Sequence, residues 1–533
     1  MRKTLYFSGH IHTMTSEDDV YSVMLTEGEK IAYIGNEIPS DVSYSEKIDL
    51  QGKHVYPTMT DSHLHLLYSL VLSAGSFNIC EITSQGVKPD NLRDIGEKVR
   101  LYCKNNPKQK IITANGFIIS AVKEKRLPNR FELDKWSGGR AMIVYSIDGH
   151  SSSISTKLMD MLDLPTKDSD GIFFGEAHEF MQGKVTTLIA SSVTPSTLAR
   201  GIANFSNLCA SYGISRVCAM DGNEDVKNDI LTKVLAFLAM RMDIQVRLYP
   251  QYMDYTRLEF FRKKQKNLRA GGCGIWELDG SVGSHSAAFY EPYKDNGADS
   301  HCYYKKDKIK SKVKEALDKD IRLSCHAIGE AAIDQIVEIY SELKGTLPKN
   351  GAMMRIDHFE FPTKKAVELI KALPLALTVQ PGFSWVDKRY LKSYEQFLSD
   401  DIISRQIPLK ELMDAGVCIC GSSDSPVQSV NPYDQMLGMT EFYIKEQSLT
   451  PYEALKTYTV NPAVMLGETD TGTLEKGKFA DFFATKNDIL SCKGAEISLC
   501  KADFTVIHGK VYKNKNGTVG ELMKMLMKKG HKI

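Results

Sequence analysis

Both ends of the chain alternate apolar and polar residues with a period of two, the pattern of half-buried strands. Near the start the runs are Thr4–Phe7, His10–Met14, Ser22–Leu25 and Lys30–Ile34, with Gly9, Gly28 and Gly35 at turn positions. Ala480–Ala484 and Thr505–Tyr512 resume the pattern near the end. Two strand-rich ends around a different middle predict a small β-sandwich domain built from both termini, residues 1–57 and 471–533.

The middle alternates short apolar runs with helical patterns. Its predicted strands are His54–Met59, Ile214–Met220, Asp243–Pro250, Gly274–Leu278, Ile321–His326, Met354–Phe359, Leu375–Gln380 and Val417–Gly421. Predicted helices include Lys308–Leu317, Ala331–Leu343 and Thr363–Ala372; in the first, Ile309, Val313, Ala316 and Leu317 share one face. Eight strands interleaved with helices predict an α/β fold, a (β/α)8 TIM barrel over residues 58–470, in preference to a doubly wound sheet. The first and second strands are too far apart for one crossover. An insertion with its own structure is therefore expected at about residues 73–196, with strands at Lys110–Gly116 and Arg140–Ser146. The basic tail Glu521–Ile533 reads as a short amphipathic helix with a solvated end.

Composition narrows the setting. Sixty-seven Lys and Arg against 66 Asp and Glu leave a formal charge of +1, which gives no reason to expect nucleic acid or a charged membrane surface as partner. No apolar run is long enough to span a bilayer, and Ser8-Gly9-His10 interrupts the basic start before a signal-peptide core could form. The 11 cysteines include no Cys-x-x-Cys pair, which argues against a zinc finger and predicts reduced thiols in a cytoplasmic protein. Cys418 and Cys420 alternate as on one face of a buried strand.

The candidate chemistry lies at the strand ends. Side chains two apart on a strand project from the same face, so His63 and His65 of Asp61-Ser62-His63-Leu64-His65 can share one metal ion. His326 ends the fifth strand, His358 the sixth, and Asp424 follows the eighth, all toward the C-terminal rim where barrel enzymes keep their active sites. Four imidazoles and a carboxylate suit zinc or another borderline divalent ion, one or two per chain. Such an ion lowers the pKa of bound water to about 7. Asp424 is then both ligand and proton acceptor.

Pro57–His65 resembles the first-strand signature of the amidohydrolase superfamily. His326–Glu330, Arg355–His358 and Gly421–Pro426 look like its strand-five, strand-six and strand-eight motifs. Asp279–Ser284 is similar to the branch that includes N-substituted formamide deformylases, and Asn461-Pro462-Ala463 with Gly472–Phe482 resembles the return to the β-sandwich. The resemblance covers nearly the whole chain. It implies a metal-dependent hydrolase of non-peptide C–N bonds, with His63, His65, His326 and His358 as ligands, Asp424 as ligand and proton shuttle, and a homodimer as the assembly.

One departure stands out. Relatives with two metals often bridge them with a carbamylated lysine on the fourth strand, and Gly274–Asp279 has no lysine. Glu277 is the candidate bridging carboxylate, against the alternative that it pairs with a buried base. Substrate-facing candidates are His150 (or a surface-loop histidine), Asp279, His285 and Gln380 (or a structural amide), with Phe117, Phe383, Trp385 and Tyr290 as apolar lining or core. The expected function is metal-dependent hydrolysis of an amide-type bond in a small molecule, such as an N-substituted formamide or N-acyl amine. Hydrolysis or deamination of a cyclic amide, imide or amidine, and a non-catalytic binding barrel, remain the alternatives.

Overall fold

A computed structural model describes residues 2–40, 42–74, 77–83, 86–164, 169–191 and 193–533. Eight parallel strands form its centre: β1 (Met59–Leu64), β2 (Ile214–Asp221), β3 (Gln245–Pro250), β4 (Arg269–Glu277), β5 (Arg322–Ala327), β6 (Met354–His358), β7 (Leu375–Val379) and β8 (Cys418–Gly421). They hydrogen-bond in two runs, β3–β2–β1 and β4 through β8 in sequence order. The runs meet where Asp424 N donates to His63 O (2.9 Å) and His65 N to Ser425 O (2.8 Å), just past β8. At the other junction Gln265 Nε2 and Arg269 Nε reach Leu248 O at 2.8 and 3.4 Å. One apolar cluster includes Leu64, Val217, Leu248, Ala270, Leu323, Ile356, Leu377 and Ile419, so all eight strands feed a single core. This is a TIM-barrel-like α/β arrangement. Strands β1, β2, β3, β6 and β7 are buried along their whole length, as parallel strands covered on both faces must be.

The predicted helices appear at Lys306–Asp318, Glu330–Glu342 and Lys364–Ile370. The predicted first strand, His54–Met59, is instead the junction of two sheets. His54–Pro57 pairs parallel with Lys3–His12 and antiparallel with Phe482–Thr485, whereas Met59 begins β1 beside β2. Pro57 has no N–H to continue a ladder, and the apolar run hides that break. His63 consequently lies within β1 rather than after the strand.

Both chain ends contribute to one eight-stranded mixed sheet. Its main path runs Lys510–Val511, Phe504–Ile507, Phe482–Thr485, His54–Pro57, Lys3–His12, Val20–Glu27, Lys30–Gly35. The runs expected as Thr4–Phe7 and His10–Met14 are one strand, with a register shift between Phe7 and Ile11 where Ser8 takes φ 58°. The run Thr505–Tyr512 folds back on itself at His508 (φ 49°) and Gly509 (φ 70°), a two-residue turn that needs two left-handed residues. The tail forms a helix at Val519–Leu526 that buries Leu522 and Met525.

The segment between β1 and β2 carries a five-stranded sheet of its own, ordered Ile172–Phe174, Ser151–Ile154, Ala141–Ser146, Ile111–Phe117, Phe77–Asn78. Met142 and Val144 pack into one apolar cluster and Ala141, Ile143 and Tyr145 into another, so the period-two pattern places a core on each face. Residues 75–76, 84–85, 165–168 and 192 of the expected insertion lie outside the described residues. Among the described residues no helix is long and apolar enough to cross a membrane.

Candidate metal centre

Four of the predicted histidines and Asp424 come together at the C-terminal ends of the strands. His65 Nε2 and His63 Nε2 lie 3.2 and 3.3 Å from Asp424 Oδ1. The His63 ring is 5.1 Å from that of His358, and the His358 ring is 4.4 Å from that of His326. His358 (φ 71°), Phe359 (φ 49°) and Asp424 (φ 55°) hold left-handed backbone, which costs a non-glycine residue about 1–3 kcal/mol. The fold holds that strain at the two motifs that aim donors into the centre.

Cys273 was not anticipated. Its Sγ is 3.3 Å from His63 Nε2, and it joins His63 and His65 in a group whose ligand atoms lie within 4.8 Å of one another. His63, His358 and Asp424 form a second such group. Expectation had placed Glu277 here, on a strand starting at Gly274. Strand β4 in fact starts at Arg269 and shifts register between Gly272 and Glu277. Gly271 (φ 102°), Gly272 (φ 99°) and Gly274 (φ 61°) make that bend, and a Cβ on Gly272 would lie 2.4 Å from the Met220 sulfur. Cys273 therefore faces His63. Glu277 accepts from Gly274 N (2.8 Å) and sits 3.9 Å from His150 Nδ1. A cysteine inside Gly-Gly-Cys-Gly on a strand was the available signal.

A buried layer beneath orients the donors. Asp357 Oδ2 lies 2.9 Å from His63 Nδ1, turning the ring's Nε2 toward Asp424 and Cys273. Arg355 (3.0 Å), Ser324 and Thr378 hold Asp357 in turn. Asp221 accepts from Leu66 N (3.0 Å) and Leu67 N (3.1 Å), fixing the helix start next to His65. Burial pushes its carboxyl up to about 7. Asp61 ties β1 to the loop after β8 by accepting from Ser423 N (3.1 Å), and burial pushes it up to about 6.

The electrostatics call for positive charge. Burial alone would raise the Asp424 carboxyl and the Cys273 thiol, but His63 and His65 outweigh it and hold both well below their usual ranges. Burial likewise disfavours a charged His63, yet Cys273 and Asp357 raise its pKa well above normal. Conversely, His326 and His358 are pushed down by burial, and neither ring nitrogen of either residue makes a hydrogen bond. His326 Nδ1 has a 3.5 Å contact with Asp279. Buried imidazoles with lone pairs to offer, beside a carboxylate and a thiolate, fit a divalent metal ion.

A cavity of about 800 Å³ opens over these donors; His65, Cys273, His358 and Asp424 line its floor, and Tyr145, Asp148, His150 and Phe180 of the insertion form one wall. A smaller space of about 120 Å³, lined by Phe117, Phe383 and Tyr394, adjoins Asp424 and His358. His150 is therefore brought to the site, its ring 5.3 Å from that of His326. The other substrate-facing candidates lie elsewhere. Asp279 accepts from three backbone amides, Gly329 (2.7 Å), Ala288 (2.9 Å) and Ile328 (3.0 Å). His285 pairs with Asp295 at 3.0 Å and packs against Tyr293 and Phe397. Gln380 donates to Ser422 Oγ (2.9 Å), and Tyr290 is 65% exposed with its hydroxyl on Asp334. Each was placed near the rim by proximity in sequence to a strand end, and local turns direct them away from the cavity.

Buried imidazoles, a carboxylate and a cysteine sulfur at one rim of a barrel-like fold make a candidate divalent-metal centre. The amidohydrolase family model matches residues 46–512, and the chain belongs to that family. It is 24% identical to YtcJ of Bacillus subtilis (strain 168), over 96% of this chain and 100% of that protein. It is 22% identical to the N-substituted formamide deformylase of Arthrobacter pascens, over 97% and 99% of the two chains. The fold is shared with a metal-dependent hydrolase from Pyrococcus furiosus, with TM-score 0.68, 24% identity, and 92% of this chain and 100% of that one covered.

Proposed function

We propose that this chain is a metal-dependent amidohydrolase that cleaves a non-peptide C–N bond of a small molecule, such as an N-substituted formamide or N-acyl amine. The observation that carries the reading is the set of buried, unpaired His326 and His358 rings beside His63, His65, Cys273 and Asp424, open to a cavity of small-molecule size. The Arthrobacter relative, a formamide deformylase by name, supports the choice of bond. We assign Cys273, rather than Glu277, as the strand-four ligand. Nitrogen and sulfur donors favour zinc. The architecture consistent with this reading is a closed (β/α)8 barrel over residues 58–470, interrupted at about 73–196, with residues 1–57 and 471–533 as its β-sandwich companion.

The ion, when bound, supplies a Lewis acid for the substrate carbonyl and acidifies the attacking water. The chain's residues do the rest. Asp424, held at the cavity floor by His63 and His65, takes the proton of the attacking water as the C–O bond forms. It returns that proton to the departing nitrogen as the C–N bond breaks, so a carboxylic acid and an amine leave. Asp357 keeps His63 from rotating, and His150 on the insertion wall is placed to hydrogen-bond the acyl oxygen.

The test is a release assay on purified protein, zinc-loaded and chelated, with linear N-formyl and N-acyl amines beside cyclic imides and amidines. Amine release from the linear compounds, abolished by chelation and restored by zinc, is expected. Ring opening without linear cleavage, or turnover indifferent to chelation, would overturn the reading.

A further inference from the structure

We propose that the sheet formed by the two chain ends carries a second divalent-metal site, built from His12, His54 and Asp488. None of the three lines either cavity of the catalytic centre. His12 ends the strand Lys3–His12, and His54 begins the parallel neighbour His54–Pro57, with His10 directly opposite His54 in the ladder. Residues 10, 12, 54 and 56 therefore present one face of the sheet. Their rings are stacked along it: His10–His54 at 4.8 Å, His12–His54 at 5.3 Å, His12–Tyr56 at 4.5 Å.

The donor atoms have the spacing of a coordination shell. His12 Nε2 lies 3.0 Å from His54 Nδ1, and His54 Nδ1 lies 3.7 Å from Asp488 Oδ1. All three atoms fall within 4.8 Å of one another. Ligands about 2.0–2.1 Å from a tetrahedral zinc sit roughly 3.3 Å apart, so the two distances bracket the requirement. His12 is 7% exposed, so its imidazole is held in place by the sheet around it. Burial and neighbouring His54 push the His12 imidazole down to about 4, so at neutral pH it offers lone pairs rather than charge.

The carboxylate is already braced for the task. Tyr56 Oη donates to Asp488 Oδ1 at 2.8 Å and Ser491 Oγ to Oδ2 at 2.6 Å, the outer contacts that orient a ligating carboxylate. The His54 and Asp488 side chains remain 19% and 30% exposed, which leaves an entry path for the ion. Exposed His10, opposite His54 in the ladder, is the remaining imidazole on this face. An ion there clips the N-terminal strand and the strand before β1 to the segment after Phe482–Thr485, and because the unfolded chain has no such site it stabilises the fold by mass action.

Cobalt(II) titration of metal-free, full-length protein tests this, read by visible absorption and elemental analysis. The centre is disabled independently with the double variant His63→Ala/His358→Ala, which breaks both of its donor groups. That variant should still bind cobalt through the terminal site, and adding His54→Ala should remove that ion. Zinc should raise the thermal midpoint of the double variant by several degrees and leave the triple variant unmoved. His12→Gln in place of His54→Ala guards against a folding defect, checked by circular dichroism. The proposal is overturned if the ion count is the same with and without the His54 and His12 substitutions. In that case the pair is an ordinary imidazole–imidazole hydrogen bond.

Discussion

At the C-terminal ends of the barrel strands, His326 and His358 are buried with no hydrogen bond on either ring nitrogen. Toward the opposite ends, Glu468 is as deeply buried, yet Arg247 meets it at 2.5 Å and Arg216 at 3.4 Å. Leaving a buried polar group unpaired costs about 1–3 kcal/mol, whereas a paired ion group can hold a fold together. The barrel thus carries two polar layers of different character, one at the ends of β5 and β6 and one on β2 and β3. The first gathers metal-type donors at the cavity, and the second sets a carboxylate between two guanidinium groups.

Substitutions at each layer should separate them. Asp424→Asn should lower turnover by about 10³-fold or more with an unchanged circular dichroism spectrum. Near-normal steady-state rates in that variant would remove Asp424 from the chemistry. Cys273→Ser comes next: metal retention should fall by at least roughly tenfold, and cobalt-loaded protein should lose its sulfur-to-metal absorption. An unchanged spectrum would hand the fourth-strand position back to Glu277. Neither variant should lower the thermal midpoint of metal-free protein.

Glu468→Gln should do the reverse, sparing metal content while destabilising the fold. Burial pushes the Glu468 carboxyl up, but Arg216 and Arg247 outweigh it and hold it down at about 2. Its folded value lies below the unfolded one, so its stabilisation is present above about pH 4.5 and is lost as pH falls toward 2. The contribution at neutral pH is on the order of 3 kcal/mol. Denaturant melts of both proteins should differ by about that much at pH 7 and converge toward pH 3. A constant gap across that range would show that lost packing, not ionisation, sets the difference.

Most of the centre was legible in the sequence because each donor sits in a short motif at the end of an apolar run, and strand polarity alone brings such ends together. His63, His65, His326, His358 and Asp424 needed no knowledge of how the strands bend. Cys273 did. Three left-handed glycines shift β4 by a register no period-two pattern anticipates. His285 failed for a related reason: it takes φ 53° in the loop after β4, and that turn carries it to Asp295. Pro57 shows the same limit at the level of sheets, since an unbroken apolar run spans the passage from one to the next.

The cavity wall at Tyr145–His150 belongs to a sheet with its own interior on both faces, tied to the barrel where Asp148 accepts from Ser281 (2.7 Å) and Ser284 (2.9 Å). On the proposed reading, this wall would contribute to substrate choice while the metal donors and Asp424 stay with the barrel strands. A lineage could exchange one substrate for another by rewriting the wall while the reaction itself was inherited unaltered. On that reading, directed evolution of new specificities would begin at Tyr145, Ile147 and Phe180, which line the cavity and are none of the metal donors.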